Sequence, residues 1–291
     1  MRINLKMHKL KKDEGLTLIE LMVAMANSAN LIAAIYRTFI GQQKTYTVQE
    51  QVVDMQQNVR VAINKMMREI RMAGFGNVSN ILPPQGQPFE ALVWLGKKTI
   101  TFNSIINPSD NKDNVNQNDD QITIIGAFEQ VSTLAVEQSG GKVTIQLDEK
   151  ASDFDLKYRK YICVGGLETH IIKKIDPATN TITLSDNLVN KYAGGTPVYK
   201  VKAITYQLRW DNKNPNMPVL TREDNTEGGG SQVVAENIEN LQFEFDGVRM
   251  VKVTVTARTS MSDPEFKGGV GGFRRRTIAS NILVRNMGLK P

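Results

Sequence analysis

The chain is poor in the residues that carry covalent chemistry. It has one cysteine, Cys163, and two histidines, His8 and His170. A single cysteine excludes an intramolecular disulfide and any zinc site built on paired cysteines. It stands in the apolar run Tyr161-Ile162-Cys163-Val164, the setting of a buried structural thiol. His8 lies in the basic N-terminal stretch and His170 precedes an alternating strand pattern, so the two share no obvious third ligand. With so few bases and thiols, most acyl-transfer designs are excluded. Gly268-Gly269-Val270-Gly271-Gly272 lacks the Lys-Ser/Thr that follows the glycines of a P-loop, and Gly228-Gly229-Gly230 reads as a turn. No repeat of fixed period is present. The chain is therefore not expected to be an enzyme, and no cofactor is expected.

A strong charge bias is missing too. The formal charge is +6, but half of that excess sits in residues 1–15, where Arg2, Lys6, Lys9, Lys11 and Lys12 meet only Asp13 and Glu14. The other basic cluster, Arg274-Arg275-Arg276, is too short for a nucleic-acid groove, so nucleic acid is not expected as a partner.

What the sequence does have is a long apolar run directly after the basic leader. Residues 16–40 are dominated by Leu, Ile, Met, Val and Ala. As a helix the run would be about 37 Å long, enough to span a bilayer. The positive leader places its own end on the cytoplasmic side and the C-terminal bulk across the membrane. A secretory signal would place a small-residue cleavage site after the apolar core. Here the candidate, Gly15, precedes it, so cleavage would leave the apolar segment on the mature chain. Glu20 sits inside this run, and an ionisable group in hydrocarbon is a candidate functional residue by default. Asn27, Ser28 and Asn30 interrupt the same run, and each polar group costs insertion energy unless it finds a partner.

From Gly41 the pattern becomes amphipathic. Val52, Met55, Val59, Ile63, Met66 and Ile70 recur at three- and four-residue steps, with Glu50, Asp54, Gln57, Arg60, Asn64 and Arg68 on other faces. That stripe predicts a core contact against a sheet. Gly74 and Gly76 supply the stop. A helix from residue 16 to about 72 would be roughly 85 Å long.

The run Gly15-Leu16-Thr17-Leu18-Ile19-Glu20-Leu21 closely resembles the type IV prepilin signal, in which a glycine is followed by an aromatic or aliphatic residue, Thr, two aliphatics, Glu and another aliphatic. Gln43-Lys44-Thr45-Tyr46 and Arg68-Glu69-Ile70-Arg71-Met72-Ala73-Gly74 resemble the PilW family of minor pilins, related to the J-type pseudopilins of type II secretion. Leu16 replaces the commoner Phe, and Asn27, Ser28 and Asn30 stand where the family carries aliphatic residues. The resemblance implies cleavage between Gly15 and Leu16 by a prepilin peptidase and N-methylation of Leu16. It also implies a role for Glu20 in assembly, where the glutamate of an incoming subunit pairs with a neighbour's N-terminal amine. Thr17 would assist there, or serve helix packing. The partners implied are the prepilin peptidase, the inner membrane, the major pilin, other minor pilins and a tip adhesin. The implied location is the inner membrane before assembly and the pilus afterwards. A J-type pseudopilin carries the same chemistry, although the length left after cleavage is long for that family. A DNA-uptake competence pilin is a third reading, with Arg274–Arg276 as its sole visible candidate surface.

The remaining sequence reads as strands and turns. Strands are expected at Thr99–Phe102, Gln121–Ile125, Lys142–Leu147, Val198–Arg209, Pro218–Arg222, Ile238–Phe245, Met250–Ala257 and Arg276–Val284, with a hairpin at His170–Leu184 turning on Asp176–Asn180 and a connector at Gly268–Gly272. The polar insert Asn107–Asp120 offers Asp110, Asp113, Asp119 and Asp120 as calcium candidates. It lacks the glycine and terminal glutamate of an EF-hand loop, and turn composition accounts for it better. The expected fold is α+β: a leader (1–15), an apolar half-helix (16–40), an amphipathic half-helix (41–74), and a β-rich globular head (75–291) built as an antiparallel sheet system against the helix.

Overall fold

The structure, a computed structural model, describes residues 17–84, 86–93, 98–110, 120–156, 159–226 and 229–287. The chain divides into two compact units, Met1–Glu50 and Gln51–Pro291. One helix, α1 (Leu18–Met72), passes from the first into the second. The architecture is α+β, one long helix followed by antiparallel sheets.

Within the second unit the expected stripe is the buried one. Met55, Val59, Ala62, Ile63, Met66 and Ile70 are buried, while Asp54, Gln57, Arg60, Asn64 and Arg68 face out or sit at the edge. The helix ends where expected, because Gly74 adopts φ +77° and its N–H turns to the carbonyl of Ile125 at 2.8 Å. Gly76, at φ +90°, is required twice over: a Cβ there would lie 2.7 Å from Cys163 Sγ. The last two helical carbonyls and the one after them find donors from far along the chain. The Arg285 N–H reaches Arg71 O at 3.2 Å, and Asn286 Nδ2 reaches Met72 O and Ala73 O at 3.4 Å.

Fourteen strands form three sheets among the described residues. β1 (Phe89–Val93) and β2 (Lys98–Phe102) pair alone. β12 (Ile238–Phe245), β13 (Met250–Arg258) and β14 (Arg275–Leu283) make a three-stranded meander. Along β13 buried and half-buried residues alternate, which is the period-2 signature of a strand with one face on a core. The other nine strands form one sheet around β9 (Pro197–Trp210). It pairs with β4 (Asp120–Thr133), β6 (Tyr161–Val164) and β10 (Pro218–Asp224). β3 (Ile106–Asp110) lies on β4, β11 (Gly229–Glu236) on β10, and β7 (Glu168–Asp176) on β6. β8 (Thr181–Leu184) then carries the pairing on to β5 (Thr144–Gln146).

Register assigns the two faces of this sheet. Ile122 lies opposite Tyr206, Ile124 opposite Ile204, and Leu220 opposite Leu208, and this apolar face packs with the buried half of α1. The alternate residues form a buried polar ladder. Thr123 and Thr205 share a 2.6 Å hydroxyl bond, Asn225 Nδ2 donates to Thr205, and Gln207 and Arg209 both donate to Glu223. A second core, with Leu134, Ile145, Phe154, Ile162, Ile182 and Leu188 among its members, fills the region of β5 to β8.

Two expectations need correction. The first four residues of the polar insert, Asn107–Asp110, are in strand β3, not loop; Pro108 is tolerated because, among the described residues, β3 pairs only with β4 and keeps an edge free for the missing donor. Gly229 and Gly230 belong to β11 and are not a turn; that strand is irregular, with register shifts at two places.

Candidate functional site

The start of α1 is built by Thr17 and Glu20. Thr17 is the N-cap: its carbonyl accepts the Leu21 N–H at 3.2 Å and its hydroxyl accepts the Glu20 N–H at 3.3 Å. Glu20 reaches back, Oε2 accepting the Thr17 N–H at 2.9 Å and the Thr17 hydroxyl at 2.8 Å. The pair T-x-x-E is thus a reciprocal capping box, and it puts a carboxylate at the positive end of the helix. The T-x-x-E spacing is the sequence signal for it, and the sequence reading did not use it. Among the described residues Oε1 takes no hydrogen bond, so one oxygen anchors the carboxylate and the other is left to accept. Gly15 and Leu16 lie outside the described residues.

The turns that follow are apolar and uncovered. Leu18, Ile19, Leu21, Met22, Val23, Met25, Leu31, Ile32, Ile35, Tyr36 and Phe39 are each between 54% and 78% exposed. Covering such a set is worth on the order of 20 kcal/mol at about 1.5–3 kcal/mol per large side chain. The helix contains an 18-residue window of mean hydropathy 1.7 with none of it buried, so it is long and apolar enough to cross a membrane. Ser28 costs less there than its type suggests, because its hydroxyl bonds back to Ala24 O at 2.8 Å, as Thr38 does to Ala34 O at 3.0 Å.

The other sequence candidates make contacts within the second unit. Asp120 Oδ2 accepts the Phe243 N–H at 2.8 Å and so ties β4 to β12. Asp110 ends β3, and its side chain, like all of Asp113 and Asp119, lies outside the described residues. No group of three or more His, Cys, Asp or Glu able to hold a metal occurs among the described residues. Arg275 grips Glu239 through Nε at 2.6 Å and Nη2 at 2.9 Å, while Arg274 pairs with Asp263 at 3.1 Å and stacks on Phe266. Two of the three arginines in the basic triplet are thus committed internally. Cys163 is fully buried, and burial pushes its thiol up to about 11.

Two buried ionic clusters escape the sequence reading. In the first, Glu69 on α1 accepts Tyr206 Oη at 2.7 Å and Arg222 Nε at 3.1 Å, with Lys65 at 3.1 Å on its outer side. Burial and the adjacent Glu69 charge raise the Tyr206 pKa; burial works against the Arg222 cation, but Glu69 outweighs it and raises that pKa. In the second, His170 Nε2 lies 2.9 Å from Glu168 Oε2 and Nδ1 lies 3.0 Å from Asp186 Oδ2, the latter off the direction of an ideal bond. Signals for both existed: Glu69 is in phase with the apolar stripe, three residues after Met66, and Glu168 and His170 stand two apart on one strand face. A groove of about 390 Å³ beside α1, lined by Gln51, Asp54, Asn58, Glu236, Asn237 and Arg258 among others, mixes both signs of charge.

Compared with family models, curated proteins and solved structures, the chain matches none.

Proposed function

We propose that the chain is a structural minor pilin of a type IV pilus, PilW-like, held in the inner membrane as a precursor and assembled at or near the pilus tip. The observation that carries the reading is the uncovered apolar stretch Leu18–Phe39 opened by the Thr17–Glu20 box. A surface of that kind calls for lipid or for other apolar helices, and a pilus offers both in succession.

In this reading the prepilin peptidase cuts after Gly15 and methylates Leu16. Thr17 holds Glu20 through Oε2, and Oε1 meets the N-terminal amine of a neighbouring subunit. Both charges leave water on assembly, so a subunit lacking either partner is strongly disfavoured and the axial register is fixed. The second unit is then the head, carried outward to meet other minor pilins, the major pilin and a tip adhesin. The protein acts as a substrate of processing enzymes and as a building block, without a reaction of its own.

The test is intact mass and N-terminal peptide analysis of the protein from its native membrane, followed by deletion. A chain beginning at methylated Leu16 and loss of surface fibres on deletion are expected. A chain beginning at Met1 in assembled material defeats the proposal. Normal fibres with lost exoprotein secretion would reassign the chain to the J-type pseudopilins.

A further inference from the structure

Glu168 and His170 occupy alternate positions of β7 and present their side chains to the segment that follows β8. Both are sealed from water, their side chains 5% and 3% exposed. Burying two ionisable groups together is costly unless every polar atom is matched. Glu168 is matched fully: Oε2 accepts His170 Nε2 at 2.9 Å and the Val189 N–H at 2.8 Å, and Oε1 accepts the Asn190 N–H at 3.1 Å. Backbone bonds fix the segment on either side. Ser185 is tied to Ile171, Leu188 to Lys142 and Gly141, and Tyr192 to Gln138. Between Leu188 and Tyr192, the Val189 and Asn190 amides are held by the one carboxylate.

His170 faces carboxylates on both ring nitrogens, Glu168 at Nε2 and Asp186 at Nδ1. A neutral imidazole carries one N–H, so whichever nitrogen keeps it, the other turns a lone pair toward an anion. Only the imidazolium suits both. The remaining titratable neighbours are Tyr192 from the same segment and Cys163 from β6. Burial raises the pKa of both, the thiol to about 11, so neither changes charge near neutrality. Glu168 is held down to about 2: burial opposes the anion, but the bonds from His170, Val189 and Asn190 prevail, so it stays ionised. His170 is therefore the group in this cluster that switches.

We propose that Glu168, His170 and Asp186 form a proton-operated latch that fastens residues 186–190 to β7 and so closes the second core over Leu188. With His170 protonated, the cation compensates both acids. When it loses its proton, Asp186, already 64% exposed, swings to water. Glu168 is then a buried anion without a counter-charge, and the segment it holds loosens. Burial alone would lower the imidazole pKa, but the bond to Glu168 and the charges of Glu168 and Asp186 outweigh it and raise the value above the usual one. A raised folded-state value means that the latch contributes fully below the ordinary histidine range and is lost as pH rises through the higher folded value. The inference is independent of the pilus reading. Under that reading the head meets the pH of the surroundings.

The experiment uses the full chain in detergent micelles with His8→Gln, which leaves His170 as the sole histidine. Imidazole nitrogen shifts are followed by NMR, and hydrogen exchange of the peptide spanning residues 186–191, corrected for intrinsic rate, is followed by mass spectrometry. Expected are a doubly protonated ring at low pH, a midpoint above the usual histidine value, and loss of about tenfold or more in protection at the same midpoint. Asp186→Asn, at an exposed site, lowers that midpoint and carries the loss of protection with it. A ring that stays neutral, protection that ignores the titration, or a midpoint unmoved by Asp186→Asn would each overturn the proposal.

Discussion

The two portions of α1 invert the usual order of polarity. Residues 18–50 carry large apolar side chains in the open, whereas residues 51–72 bury a carboxylate, Glu69, among Met66, Ile70 and the Tyr206 ring. Helix propensity does not separate them. What differs is burial: the second portion packs on a sheet with a tyrosine and an arginine placed for its one buried acid, and the first leaves its large apolar side chains uncovered. A buried charge with two fixed partners marks an interface already complete, and an exposed apolar run marks one still to be made.

Breaking the completed interface should have the largest effect. Glu69→Ala leaves Arg222 buried without its carboxylate and should cost about 3–5 kcal/mol in urea unfolding of the second unit. On the open portion, Ile32→Lys should oppose bilayer insertion by about 3 kcal/mol, visible as a shift from the membrane fraction after carbonate extraction, while head unfolding is unchanged. An equal loss of head stability would show that the first portion is not independent. Thr17→Val removes one side of the capping box and should cost about 1 kcal/mol, read as faster amide exchange confined to the first turn. Tyr206→Phe should cost about 1 kcal/mol, since it deletes one bond to Glu69 and leaves the arginine in place. Acid adds a further contrast. Glu168 is depressed to about 2, so its contribution is present above the ordinary carboxylate value and is lost as pH falls from about 4 toward 2. Exchange should therefore rise first around the second core.

Periodicity carried most of the fold. The stripe of α1, the β7–β8 hairpin and the β12–β14 meander all repeat at the spacing of their element, and each is where the sequence predicts it. The failures share a cause: local chemistry concealed the pairing. Asn107-Pro108-Ser109 has turn composition, and only the register with Ile122 makes it a strand. The glycines opening β11 have no side chain to show a period. At the helix start, Thr17 and Glu20 were singled out but their T-x-x-E spacing was not read as a cap, and the division of labour between the two Glu20 oxygens needed coordinates. Glu69 was hidden by being charged in a stripe otherwise read as apolar. Its partners Tyr206 and Arg222 lie 137 and 153 residues away, beyond the reach of local pattern.

The donors that finish the lower end of α1 set the timing of biosynthesis. Asn286 reaches Met72 O across 214 positions of chain, and Arg285 joins it at Arg71. A ribosome must translate about 214 further residues after Met72 before these carbonyls meet their donors. Until then that helix end lacks these donors, and closure of the unit comes as a late event. At translation speeds of about 5–20 residues per second, the wait exceeds ten seconds.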